Sequence, residues 1–274
     1  MDYIKYNENE LIEALQRSGY LLESEIAQYL YNNGFFVESN QVILDAKTGK
    51  NREIDLIAEY NSLRTNNYKC CAKIRFVFEI KNNTAPIVLM TEFRSSPYIE
   101  DYFGIKEKVT IPEDICYFSL DGYYNKIIKS DKFSKFTQYC SFQRKKGKNQ
   151  ELMALHPDNI YTGIEKITQY CEIDYEDMEQ IEKKDGHFRH FINMPILLIK
   201  DNLFELTHSQ NNEIKLKEVD SSILVYNYFN HENEPTMVYV FIVTHKGLPD
   251  FLEYMLKIQD KVQTEMVEKR RNKI

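Results

Sequence analysis

The stretch Lys73-Ile74-Arg75-Phe76-Val77-Phe78-Glu79-Ile80-Lys81 decides the fold. Side chains alternate between the two faces of a strand. Ile74, Phe76, Phe78 and Ile80 therefore share one face, which reads as core, while Arg75, Val77, Glu79 and Lys81 share the other. Glu79 and Lys81 project together from the end of an apolar strand. Immediately upstream, Arg52-Glu53-Ile54-Asp55-Leu56-Ile57-Ala58-Glu59-Tyr60 reads as a second strand, with an acid set among aliphatic residues. If the two strands pair, Asp55 and Glu79 come within reach of one shared cation.

Working further out, residues 35–46 read as a strand around Val42-Ile43-Leu44. A turn follows at Lys47-Thr48-Gly49-Lys50, and a polar loop covers 61–67. Residues 9–33 are helical: Leu11, Leu15, Leu22, Ile26 and Leu30 recur at helical spacing, Ser18-Gly19 offers a break, and Asn33-Gly34 a stop. Downstream, Pro195–Ile199, Ile223–Phe229 and Met237–Thr244 have strand character, and Leu248–Glu268 forms an amphipathic helix. The middle, 86–190, is charged and poor in strong strands. One helix follows His156-Pro157, with Ile160, Ile164, Ile167 and Cys171 on one face, and an acidic stretch runs from Glu172 to Asp185 as a solvated helix or loop. The expected architecture is α/β: a central mixed sheet flanked by helices, built from 1–85 and 191–274, with 86–190 as a large, mostly helical or irregular insertion for substrate or partner binding.

Composition bounds the function. A chain of 274 residues with 43% hydrophobic and 28% charged content is long enough for a real core. No run of 18 apolar residues occurs and the first residues lack a secretion signal, so a cytoplasmic protein without a membrane partner is expected. Five cysteines with no CxxC pair fit reduced thiols rather than a disulfide frame or zinc knot. The net charge of −7 argues against a nucleic-acid coat protein, but not against an enzyme touching nucleic acid through a local patch.

Two carboxylates and a lysine converging on one strand end suit phosphodiester hydrolysis. That reaction needs the scissile phosphate neutralised and a hydroxide supplied. A hard divalent ion such as Mg²⁺, held by oxygen ligands, meets both needs. A lysine beside it can orient or activate water or stabilise developing charge. On the first helical segment, Glu23 shares a face with Ile26, Ala27 and Leu30. A carboxylate at the edge of a buried stripe needs a positive partner, either a metal or Lys81.

Gly19-Tyr20-Leu21-Leu22-Glu23, then Arg52–Ala58, then Val77-Phe78-Glu79-Ile80-Lys81 resembles the restriction-endonuclease-like, PD-(D/E)xK nuclease superfamily. The resemblance covers about residues 10–85, and Ile54 stands where the motif's proline would be. It implies a core of a helix, a three-stranded meander, a helix and further strands. It implies Mg²⁺-dependent cleavage of DNA, less often RNA, with Mn²⁺ able to substitute. Glu23, Asp55, Glu79 and Lys81 fall on the motif positions: Asp55 and Glu79 bind the metal, the Ile80 carbonyl adds a ligand, Glu23 completes a second metal site or fixes Lys81, and Lys81 acts on water. A restriction or defence endonuclease is the first expectation, and a twofold dimer would suit two-strand cleavage. An inert binding module of the same fold and an RNA-cleaving toxin are the competing readings.

Other groups carry two readings each. Gln143, Arg144, Lys145, Lys146 and Lys148 form either a phosphate-contacting loop or a solvated basic loop. Arg75 either touches phosphate or pairs with Glu53 or Glu59. Glu53, sharing the face of Asp55, is assigned a supporting place behind the site. His187 and His190 read as a surface pair rather than a metal site, His245 as structural, and the cysteines as small buried apolar residues.

Overall fold

A computed structural model of the chain describes residues 6–45, 49–60, 69–94, 105–112, 122–145, 150–177, 186–209, 211, 213–230 and 234–271, with the side chains of 175–177 excepted. The turn residues Lys47 and Thr48, the loop 61–67, Cys116, Lys146, Lys148, the acidic residues 178–185 and the terminal 272–274 lie outside that set.

The chain begins with α1 (Glu8–Ser18), α2 (Tyr20–Asn32), β1 (Phe36–Leu44), β2 (Asn51–Glu59) and β3 (Cys70–Lys81). The middle supplies β4 (Ile87–Glu92), β5 (Glu107–Thr110), α3 (Tyr123–Ile127), β6 (Lys135–Arg144), β7 (Leu152–Leu155) and α4 (Asp158–Asp177). The last part supplies β8 (Phe188–Ile199), β9 (Leu203–His208), β10 (Ile214–Glu218), β11 (Ser221–Phe229), β12 (Pro235–Thr244) and α5 (Leu248–Arg271). All described strands join one mixed sheet, ordered β1-β2-β3-β8-β12-β11-β6-β4-β9-β10, with β5 added to β8 and β7 to β6. β1, β2 and β3 form an antiparallel meander. β8 runs parallel to β3 along its whole length, from Cys70 opposite Phe188 to Lys81 opposite Ile199, and β12 runs parallel to β8.

Strand order and chain length together require the sheet to curl. β8 and β9 stand five places apart in the order, about 24 Å if the sheet were flat. Yet only residues 200–202 separate Ile199 from Leu203, a reach of at most about 15 Å. The far half therefore folds back over one face of the near half. There Ile87, Leu89, Phe136 and Leu203 pack with Val77, Leu197, Ile199, Val240 and Ile242 around Ile160, Ile164 and Ile167 of α4. On the other face, Ile74, Phe76, Phe78 and Ile80 pack with Leu22, Ile26 and Leu30 of α2 and with Phe251, Leu252, Met255 and Ile258 of α5.

One expectation is corrected here and two findings add to others. Residues 86–190 are not a mostly helical or irregular insertion: they supply β4, β5, β6 and β7, and their helix α4 is central to the second core. β5 and β7 have four residues each, too few for alternation to carry a signal, whereas β6 has ten and buries Phe136 and Tyr139. Second, β3 is covered on both faces, because α4 lies over Val77 and Glu79. Third, Leu11 and Leu15 are exposed at 49% and 44%, and α1 buries nothing. Helical spacing fixes which residues share a face, not what that face meets. Gly19, at φ 94°, ends α1 and opens α2, a left-handed conformation that a side chain would strain.

β3 extends beyond β2, which pairs with it only over residues 75–78. The amides left over are met by side chains. Gln259 of α5 accepts from the Ile74 N–H at 2.8 Å and donates to the Tyr60 carbonyl, while Gln263 accepts from the Ala72 N–H and donates to the Cys70 carbonyl. Two buried glutamines at i, i+4 thus stand in for a missing strand. Replacing Gln259 by Leu leaves a buried amide and a carbonyl unpaired, and a stability loss of about 1–3 kcal/mol is expected in urea unfolding.

Candidate metal centre

One position past the last β2–β3 pair, Leu56 with Phe78, the register places Asp55 opposite Glu79. The two strands part there, and the Ile80 N–H donates to Asp55 Oδ2 at 2.7 Å. The other oxygen, Oδ1, accepts from Lys166 Nζ at 3.0 Å. Lys166 also pairs with Glu79 Oε2, while Lys81 Nζ sits 2.5 Å from Glu79 Oε1. Glu79 is 2% exposed. Its Oε2 is buried with no directed hydrogen bond, so the Lys166 charge is its partner.

Two carboxylates from different strands thus converge on a single cation, with a second cation behind Glu79. Glu23, half-buried in the first turn of α2, feels the same charges. Burial raises its pKa, the negative charges of Asp55 and Glu79 raise it further, and Lys81 and Lys166 partly offset them. For Lys166 the balance runs otherwise: burial favours its neutral form, but Glu79 and Asp55 outweigh this and hold the ammonium charged.

Lys166 and Gly163 belong to no motif that the sequence displays. Both lie on α4 within the stretch expected to be an insertion. A Cβ on Gly163 would stand 2.8 Å from Glu79 Cγ and 3.1 Å from Glu79 Oε1. The absence of a side chain there lets α4 press onto Glu79, and Lys166, three residues on, reaches the carboxylates. The available signal was modest: Lys166 is the one cation in the α4 sequence, on the flank of its apolar stripe.

A comparison with protein-family models finds no match, and comparisons with curated proteins and with solved structures find none either.

The donors present suit a hard divalent ion. Asp55 Oδ1 and Glu79 Oε2 already converge on one positive charge, and Mg²⁺ is held by one or two carboxylates with retained waters. Among the described residues no group of three His, Cys, Asp or Glu side chains is arranged around a metal position. The position between Asp55 and Glu79 is taken by the Lys166 ammonium.

The remaining sequence candidates lie elsewhere. Arg75 is held by Glu59 Oε1 at 2.5 Å and by Asp174, which realises the ion-pair reading with Glu59. Burial works against the charge of Glu59, but Lys73 and Arg75 outweigh it and lower its pKa. Glu53 is exposed and no contact ties it to Asp55, Glu79, Lys81 or Lys166. Arg144 donates to the Gln150 carbonyl, and Lys145 faces Glu151 at 3.7 Å. Gln143 is exposed in β6, and none of these three has a contact with the carboxylates. His190 is not half of a surface pair: it is buried in β8, with Nε2 on Glu107. Cys70, Cys71, Cys140 and Cys171 are free thiols whose pKa burial raises, the opposite of a nucleophile's requirement.

Proposed function

We propose that the protein is a metal-dependent phosphodiesterase that cleaves nucleic acid, DNA before RNA, with Mg²⁺ or Mn²⁺ held by Asp55 and Glu79. The observation that carries this reading is the convergence of these carboxylates, from adjacent strands, on one cation with Lys81 behind Glu79. With β4, β5, α3, β6 and β7 set between β3 and α4, the chain still runs from α2 through the antiparallel meander β1-β2-β3 to α4 and further strands, and the resemblance to restriction-endonuclease-like nucleases, which implies a helix, a meander, a helix and further strands, supports the same reading.

Bound there, a divalent ion would lower the pKa of a water and neutralise phosphate charge. Asp55 and Glu79 hold it, and the Ile80 carbonyl adds a ligand. Lys81 orients water or takes up charge as it develops on phosphate. Glu23, whose pKa is raised first by burial and then by Asp55 and Glu79, gains from any added positive charge and either joins a second ion or fixes Lys81. Arg144 at the end of β6 and Lys145 just after it contact the phosphate backbone. A twofold dimer would allow both strands of a duplex to be cut.

A second reading has its own observation. Asp55, Glu79, Lys81 and Lys166 close on one another, the two lysines neutralising the two carboxylates. In that reading the group is a structural ion-pair cluster and the protein is a binding module that does no chemistry.

One experiment separates the readings. Supercoiled plasmid, linear DNA and RNA are incubated with the protein and Mg²⁺ or Mn²⁺, beside Lys81→Ala. Nicked or linearised plasmid that disappears with EDTA and falls about a hundredfold in Lys81→Ala supports the enzyme. Intact substrates throughout, with no metal-dependent thermal shift, support the binding module. Cleavage of RNA alone moves the reading to the toxin.

A further inference from the structure

Lys166 has no place in the reaction as described so far, yet it occupies the point on which the two carboxylates converge. Its Nζ lies 3.0 Å from Asp55 Oδ1 and pairs with Glu79 Oε2. It is mostly buried, on a helix that Gly163 allows to pack close against Glu79.

Counting charge shows what this means. Asp55 and Glu79 contribute two negative charges and Lys81 and Lys166 two positive ones, so these four balance one another, with the Glu23 carboxyl beside them. A divalent ion placed between the carboxylates would raise the group by two charges and force two cations into one position. Like charges at contact distance in a partly buried site repel strongly, so the ammonium must leave for the ion to enter.

We propose that Lys166 is an internal counter-ion that competes with the divalent metal for Asp55 and Glu79, and that it swings off the carboxylates toward an anion, the substrate phosphate, when the metal binds. The inference rests on the metal-centre reading above. It makes Lys166 a positioning residue with two stations. In the first it keeps two adjacent carboxylates from repelling each other. In the second it contributes positive charge beside the phosphate. Metal and substrate anion then favour each other's binding, because each relieves the charge imbalance the other creates.

The test uses the full chain and MnCl₂ alone. Free Mn²⁺ is counted by electron paramagnetic resonance in wild type, Lys166→Gln and Lys166→Arg. Removing the competing cation should tighten Mn²⁺ binding about tenfold in Lys166→Gln. Lys166→Arg, which keeps a cation there, should bind no more tightly than wild type. In EDTA, Lys166→Gln should melt below wild type, because Asp55 and Glu79 are left facing each other.

A second measurement needs no variant. Acylation of Lys166 by an amine-reactive ester, read by peptide mass spectrometry, should be slow in EDTA and faster with Mn²⁺, as the ammonium is released. Wild type that binds Mn²⁺ with Lys166 labelling unchanged, and Lys166→Gln that binds no more tightly, overturns the counter-ion role and leaves the metal centre standing. Wild type and Lys166→Gln that both bind no Mn²⁺ overturn the metal centre and this inference together.

Discussion

Asp55→Asn is expected to lower metal-dependent cleavage about a thousandfold, the equivalent of about 4 kcal/mol of transition-state stabilisation, while the protein stays folded. The asparagine is chosen because Asp55 does two things. Its Oδ2 accepts the Ile80 N–H where β2 and β3 part, and its Oδ1 meets the Lys166 ammonium. An amide oxygen can still accept the Ile80 N–H, so the strand end keeps its hydrogen bond. What is lost is the charge that would hold a divalent ion. A carboxylate that serves only the fold would give a different result, with the loss appearing in the melting temperature. The measurement is a pair: initial rate of plasmid nicking, and thermal unfolding in EDTA and in Mg²⁺. Wild type should gain stability from Mg²⁺ by mass action and Asp55→Asn should not. Equal rates in the two proteins would remove Asp55 from the chemistry.

Gly163→Ala is the second large expectation, and its sign is unusual. In the interior of a helix this change ordinarily stabilises by about 1 kcal/mol. Here the new Cβ would stand 2.8 Å from Glu79 Cγ and 3.2 Å from Glu79 Cδ. Either α4 lifts or Glu79 turns away, and both sit in a close-packed interior next to Ile164 and Val77. A net cost of about 1–3 kcal/mol is expected. Mn²⁺ affinity should fall with it, because Glu79 is the residue displaced. A double-mutant cycle identifies the cause. In a Glu79→Ala background the clash is gone, and Gly163→Ala should become neutral or stabilising. Destabilisation of the same size in both backgrounds would show that the glycine is needed for some other reason.

Legibility in the sequence followed the strength of local patterns. The meander and the first two helices are set out by nearest-neighbour pattern: alternation in 73–81, an acid among aliphatics in 52–60, a glycine break after Ser18. The stripe of Ile160, Ile164, Ile167 and Cys171 marked α4 as a helix with one buried face. The approach of Asp55 to Glu79 was expected on the condition that the two strands pair, and the register that sets them opposite each other comes from the structure.

What the sequence by itself determined, then, is the local arithmetic of β3: which side chains share a face, and that Glu79 and Lys81 end it together. The tertiary structure alone decided what lies over that face. A lysine 85 positions after Lys81 in the chain reaches the carboxylates only because α4 docks across β3, and α4 can dock that closely only because residue 163 has no side chain. The physical reason is range. Alternation and helical spacing act over a few residues and print themselves on the sequence. The meeting of α4 with β3, like the capping of β3 by Gln259 and Gln263 of α5, follows from how a curled sheet closes on its helices. No short stretch of sequence encodes that closure.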